Sequence, residues 1–171
     1  MGLALAALLG YTFGSLPLYR WFGALQGSPP RPLAPFPTFL VGLLDAFKGL
    51  IAVASGEAVA HDPHLGLLAG VLAVWGDCFS IWLLGQGSKG WFTAAGVLLA
   101  LRPLLLGEVG LLLALFLALT RNFRWAGFLA ALGIPVILAA NLGSVGLAFG
   151  LGLALPIAWR HYSGSSRVFE P

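Results

Sequence analysis

Seven apolar runs, separated by short polar gaps, fill nearly the whole chain: residues 2–19, 36–54, 65–84, 91–106, 109–119, 125–141 and 144–159. A hydrocarbon core of about 30 Å needs about 20 apolar residues as helix, with a range of about 17–25. Most runs meet or approach that length. The run 109–119 is short and must borrow Gly107, Glu108 and Thr120. The pattern predicts an all-α, polytopic membrane helical bundle of about seven transmembrane helices, built as one domain over residues 1–171. The longest irregular piece, GALQGSPPRPLAP at 23–35, holds Pro29, Pro30, Pro32 and Pro35, and prolines so spaced forbid a continuous helix. Many of the 24 glycines lie inside the runs, where small residues let transmembrane helices approach closely.

Charge orients the bundle. With the N-terminus outside, Arg20, Arg31, Lys89, Arg121, Arg124, Arg160 and Arg167 all fall on the inner side, seven of the nine Lys and Arg. The outer gap around Glu57, His61, Asp62 and His64 has none. This positive-inside asymmetry predicts N-terminus out and C-terminus in. Mean hydropathy is +0.94 and charged residues make up 9% of the chain, against about 25% in soluble domains. The net charge of +3 therefore reports topology, and no basic stripe for nucleic acid is present. No basic segment precedes the first run and no small-residue cleavage site stands out, so it reads as a span and not a signal peptide. The single cysteine, Cys78, reads as a small apolar filler.

Charge inside hydrocarbon is costly and marks candidate function. Asp45 and Lys48 lie three apart, on one helical face, and can pair either architecturally or functionally. Asp77, near the inner end of the third run, can face an aqueous cleft or end a broken helix. Glu108 and Arg102 are expected to form a loop pair at the outer side. His61, Asp62 and His64 lack a third or fourth ligand within sequence reach, so no metal site is predicted.

Three inner-side segments can carry chemistry. GQGSKG at 85–90 has the spacing G-x-G-x-x-G, but a dinucleotide fold needs a preceding strand and a βαβ unit. Its physical content is open backbone N–H groups, Lys89 and a helix start at Trp91, a combination suited to phosphate; a flexible turn with one topogenic lysine is the plainer alternative. GSLP at 14–17, including Ser15, interrupts the first run, and irregular backbone at membrane depth must be buried in protein or line a cavity. In the tail, Arg160 and His161 follow the last span and offer a cation and a proton acceptor, or simply anchor it.

Taken together, these segments resemble the acyl-phosphate:glycerol-3-phosphate acyltransferase family (PlsY type) of bacterial inner membranes. YTFGSLP at 11–17 is similar to that family's YxxGSIP, LLDAFKG at 43–49 to its LLDxxKG, and GDCFSIWLLGQGSKGWFT at 76–93 to its G-H-x-F-P-x-(F/W)-L-x-F-K-G-G-K-G-V-A-T. Arg160 and His161 resemble the start of its C-terminal RHxxNIxRLxxGxE. The resemblance implies seven spans, an active site at the cytoplasmic face of the inner membrane, and acyl transfer from acyl-phosphate to glycerol 3-phosphate, giving lysophosphatidic acid for phospholipid synthesis without a cofactor. It implies catalytic roles for Lys89 and His161. Gly87, Ser88, Gly90 and Thr93 would belong to the phosphate loop, with Ser28, Arg31 and Arg160 also binding substrate. Ser15, Asp45, Lys48 and Asp77 would line or brace the site.

The chain departs from the pattern in places. PPRPLAP follows Gly27 and Ser28 where the family has GSGNxGATNxxR. Asp77 stands for a histidine, Gln86 for a lysine, Ser88 for a glycine and Gly164 for an asparagine. On this reading Ser88→Gly, which restores the family residue, is expected to keep or raise activity. Two other readings stay open: a catalytically impaired paralogue that binds lipid or regulates, and a small transporter using Asp45, Lys48 and Asp77 as a polar path.

Overall fold

The computed structural model describes residues 1–25 and 35–163, and every regular element among them is helical. In chain order these are α1 (Gly2–Gly14), α2 (Leu18–Leu25), α3 (Pro35–Ala60), α4 (Pro63–Cys78), a 3-10 turn at Ile81–Leu83, α5 (Trp91–Leu101), α6 (Pro103–Thr120) and α7 (Phe123–Tyr162). Five segments are long and apolar enough to cross a membrane, Gly2–Leu25, Thr38–Ala60, Pro63–Leu83, Pro103–Thr120 and Phe123–Tyr162, and α5 is a shorter apolar helix.

Local chemistry sets the boundaries. Asp62 caps α4 by accepting from the His64 N–H at 2.8 Å, with Pro63 in the first turn, and Asn122 caps α7 through the Arg124 N–H at 2.9 Å. Such caps satisfy amides that the first turn leaves open. The fourth and fifth apolar runs do not part near Gly107 as the sequence pattern suggested. They part at Arg102, which is extended (φ −160°, ψ 126°), because Pro103 lacks an N–H and disfavours helical backbone before it. Helix α6 therefore has 18 residues and needs nothing borrowed. Glu108 accordingly sits inside α6, where it accepts from Asn141 Nδ2 at 3.0 Å, rather than in a loop pair with Arg102.

Helix α7 is 40 residues long, which as a straight rod would measure about 60 Å, twice the hydrocarbon core. Gly143 breaks it with φ 66° and ψ −146°. The two arms, 123–142 and 144–162, fold back on each other: a Cβ at Gly150 would stand 2.5 Å from the Pro135 Cα.

Helices α1, α3, α4 and α5 pack on one another, while α6 lies against α7 and α5. The α1–α4 contact is almost backbone to backbone. A Cβ at Gly14 would lie 1.9 Å from the Ala73 carbonyl oxygen, and one at Gly10 2.1 Å from that of Ala69, so only glycine permits this approach. Val74, Leu98, Ile134, Leu138, Leu153 and Ile157 fill the centre. Outward-facing Leu104, Leu111 and Val136 are largely exposed, as a lipid-facing surface requires.

Candidate active site

Side chains supplement the backbone hydrogen bonds of the helix interruption at residues 14–17. Pro17 prevents α1 from continuing, which frees carbonyl oxygens at depth. Lys48 on α3 donates to two of them, Gly14 at 3.2 Å and Leu16 at 3.0 Å. Ser80 Oγ donates to the third, Ser15, at 2.5 Å. Tyr11 returns the contact by donating its hydroxyl to the Phe79 carbonyl at 2.7 Å. Buried backbone groups of this kind are costly when unpaired, and here each has a donor.

The same Lys48 joins two carboxylates. Its Nζ lies 2.8 Å from Asp45 Oδ1, the same-face pair the spacing predicts, and 3.1 Å from Asp77 Oδ1 on α4. All three are buried. Asp77 then reaches into the loop that follows α4. Its Oδ2 accepts from Ser88 Oγ at 2.5 Å and from Thr93 Oγ1 at 2.9 Å, and its main-chain oxygen accepts from the Ser88 N–H at 2.9 Å. Ser88 Oγ in turn accepts from the Gly90 N–H at 3.0 Å. Gly87 is pressed so close that a Cβ there would stand 1.9 Å from the Asp77 carbonyl oxygen. Gly90 holds φ 77° at the start of α5, a conformation that favours glycine. The loop is therefore a fixed turn.

A cavity of about 270 Å³ opens beside this network. Ser15, Asp45, Lys48, Asp77, Gly87, Ser88, Lys89 and Gly90, all expected at the site, line it. Residues that the motifs did not flag also line it: Tyr19 and Arg20 on α2, Thr38 and Val41 on α3, and Phe123 at the start of α7. Lys89 Nζ sits 5.2 Å above the Phe123 ring, a cation–π distance. A second hollow of about 250 Å³, lined only by apolar groups such as Leu98, Leu106 and Leu113, shares Trp91, Phe92 and Phe123 with the first.

Three expected site residues stand outside the cavity lining. Thr93 is fully buried with its hydroxyl committed to Asp77. Arg160 clasps the loop from behind, donating to the Cys78 carbonyl through Nε at 2.7 Å and through Nη2, and from Nη2 to the Gly85 carbonyl at 2.6 Å. His161 is buried behind the wall. Its Nε2 accepts from the Trp91 indole N–H at 2.8 Å, its ring packs on Phe123 at 5.5 Å, and Nδ1 has no partner among the described residues. It braces two lining aromatics and is not itself among the residues that line the cavity. Ser28 and Arg31, and likewise Gly164 and Arg167, lie outside the described residues.

The glycerol-3-phosphate acyltransferase family profile matches residues 29–171. A glycerol-3-phosphate acyltransferase of Synechococcus sp. (strain JA-2-3B'a(2-13)) is 40% identical over 153 residues, covering 80% of this chain and 76% of that protein. The chain belongs to the glycerol-3-phosphate acyltransferase family. The acyltransferase fold agrees with two crystal structures of PlsY (YgiH), an integral membrane glycerol 3-phosphate acyltransferase. The lysophosphatidic acid form superposes with a TM-score of 0.83 at 21% identity, and the glycerol 3-phosphate form with 0.79 at 20%. Each comparison covers 98% of this chain and 92% of the other. In this acyltransferase, what sequence spacing could not reveal is the long-range pairing of Asp77 with Lys48 and of Arg160 with the loop, 29 and 75 or more residues apart. The available signal was polarity itself: a charged side chain in an apolar run must find a partner somewhere.

Proposed function

We propose that this protein acylates glycerol 3-phosphate at the membrane, in phospholipid synthesis, with acyl-phosphate as the donor. The observation that carries the reading is the placement of Lys89 and its fixed glycine loop on a cavity that also holds Arg20, Lys48, Asp45 and Asp77 and adjoins an apolar hollow. Phosphate oxygens would be held by Lys89, with Arg20 as a second cation on the same cavity. The acyl chain would lie against Trp91 and Phe92 toward the apolar hollow. The acceptor hydroxyl oxygen bonds to the acyl carbon as the carbon–oxygen bond to phosphate breaks, and the departing phosphate takes the hydroxyl proton. No protein nucleophile is needed. His161 and Arg160 hold the walls and loop rather than touching the reacting atoms. Ser28 and Arg31 would complete the acceptor side from the segment after α2.

The reading includes orientation. Seven crossings, counting the two arms of α7 separately and α5 as one, would place the N-terminus outside and the cavity at the cytoplasmic face of a bacterial inner membrane. Its support is that Arg20 and Lys89 line one cavity and both belong to the basic majority assigned to the inner side. A reporter fused after Pro171 should be cytoplasmic and one inserted near Asp62 external. Reversed labelling would overturn the orientation.

Activity is tested by giving purified protein acyl-phosphate and glycerol 3-phosphate and following lysophosphatidic acid and released phosphate. Lys89→Ala should cut turnover at least about tenfold with little change in thermal midpoint, the scale of one charge-assisted hydrogen bond. Lys89→Arg should recover part of the loss, since a guanidinium fork does not reproduce a compact ammonium. Absence of transfer by the wild type at saturating substrates would end the enzymatic reading.

A further inference from the structure

Two departures from the family pattern, Asp77 in place of histidine and Ser88 in place of glycine, touch each other. They do so twice: side chain to side chain at 2.5 Å, and Ser88 N–H to the Asp77 carbonyl at 2.9 Å. We infer that Asp77 and Ser88 are a matched pair of positioning residues that set where Lys89 stands in the cavity. This rests on the acyltransferase reading above and goes beyond it.

The physical argument begins with the carboxylate. Asp77 is 6% exposed, and a buried carboxylate, which only accepts, needs donors on both oxygens. Lys48 serves one oxygen; Ser88 and Thr93 serve the other. With glycine at 88 that second oxygen would lose its closest donor. The hydroxyl has a reciprocal need. By giving its proton to Asp77, Ser88 Oγ turns a lone pair toward the Gly90 N–H at 3.0 Å, which tethers the first residue before α5. Lys89 lies between these two anchored residues, so its Cα is fixed on both sides while its side chain reaches the cavity. A chain of hydrogen bonds thus runs from Lys48 through Asp77 and Ser88 to Gly90. The expectation that Ser88→Gly preserves activity is reversed, because the serine hydroxyl serves both Asp77 and Gly90.

The test is a cycle of Ser88→Gly, Asp77→His and the double variant, all as full-length protein in detergent. Two readouts are used: acyl transfer, and hydrogen exchange of the loop amides. Each single change should raise the KM for glycerol 3-phosphate or acyl-phosphate and lower kcat/KM about tenfold, the size of one lost charge-assisted bond. The double variant should lose no more than Asp77→His alone, because the bond between the two residues can be lost only once. Ser88→Thr, which keeps the hydroxyl, should stay near wild type. Exchange at Gly90 should quicken in both singles, and no further in the double than in Ser88→Gly, since the Gly90 acceptor is already lost there.

Losses that multiply in the double variant overturn the proposal. So do singles that lose only folded fraction, with KM unchanged in the protein that remains. If the wild type transfers nothing, the acyltransferase reading fails alone and the exchange readout still decides. Exchange at Gly90 unaltered by either single change refutes the pairing, and a rate in the double variant no faster than in Ser88→Gly upholds it.

Discussion

Helices α4 and α6 are both apolar enough to span a membrane, yet they are built for opposite surroundings. Of the most apolar 18 residues in the Pro63–Leu83 span that contains α4, 56% are buried, against 11% for α6. On α4, Gly66, Ala69, Gly70, Ala73 and Gly76 are buried where other helices cross, and Asp77 ends the helix inside a polar network. On α6, Leu104, Leu111, Leu115 and Leu119 point outward, and outside the Leu105, Glu108 and Val109 contacts its residues need only be apolar. Hydropathy cannot separate the two, because lipid tails and protein cores are equally apolar. Residue size can: α4 is lined with glycine and alanine at its contacts, and α6 is rich in leucine.

The comparison breaks most sharply at Lys48. Lys48→Ala would leave Asp45 and Asp77 without their shared cation, the Gly14 carbonyl without its side-chain donor and the Leu16 carbonyl with only the Leu18 N–H. Destabilisation of about 3–5 kcal/mol is expected, as when one partner of a buried pair is removed, and is read as a fall in folded protein and thermal midpoint in detergent. Asp45→Ala should cost less, since Asp77 remains. Losses of equal size would mean the three charges do not act as a unit.

Glycine replacements give a sharper form of the same contrast, with opposite signs. Gly14→Ala pushes a methyl group into the Ala73 carbonyl and should cost about 1–3 kcal/mol, the usual scale of overpacking. Gly107→Ala on α6 meets nothing within 4 Å and should stabilise by about 0.5–1 kcal/mol through helix propensity. Thermal melts of the two variants under one condition check both. A loss at Gly107 would place a neighbour on α6 and erase the distinction between the helices.

The sequence carried the parts of this design that are local. The i, i+3 spacing of Asp45 and Lys48, the interruption at Pro17 and the gap before Ser144 are each visible in a few residues. Pro103 was equally visible as a helix start, and overlooking it misplaced one boundary and with it Glu108. The site was legible in composition but not in arrangement. Asp77 reads as a lone acid in an apolar run until α3 brings Lys48 against it. His161 reads as an inner-side proton acceptor, and only the fold shows that its Nε2 takes its hydrogen bond from Trp91.

Arg160 closes the loop after α4 from 75 residues further along the chain, through the Gly85 carbonyl. Translation proceeds at about 5–20 residues per second, so on the order of 4–15 s separate the synthesis of the loop from that of its clasp. During that interval the first helices can already sit in the bilayer while Cys78 and Gly85 wait for their donor. The loop is therefore fastened only once α7 is made, and a ribosome that stalls within α7 leaves an inserted bundle with an unfastened site.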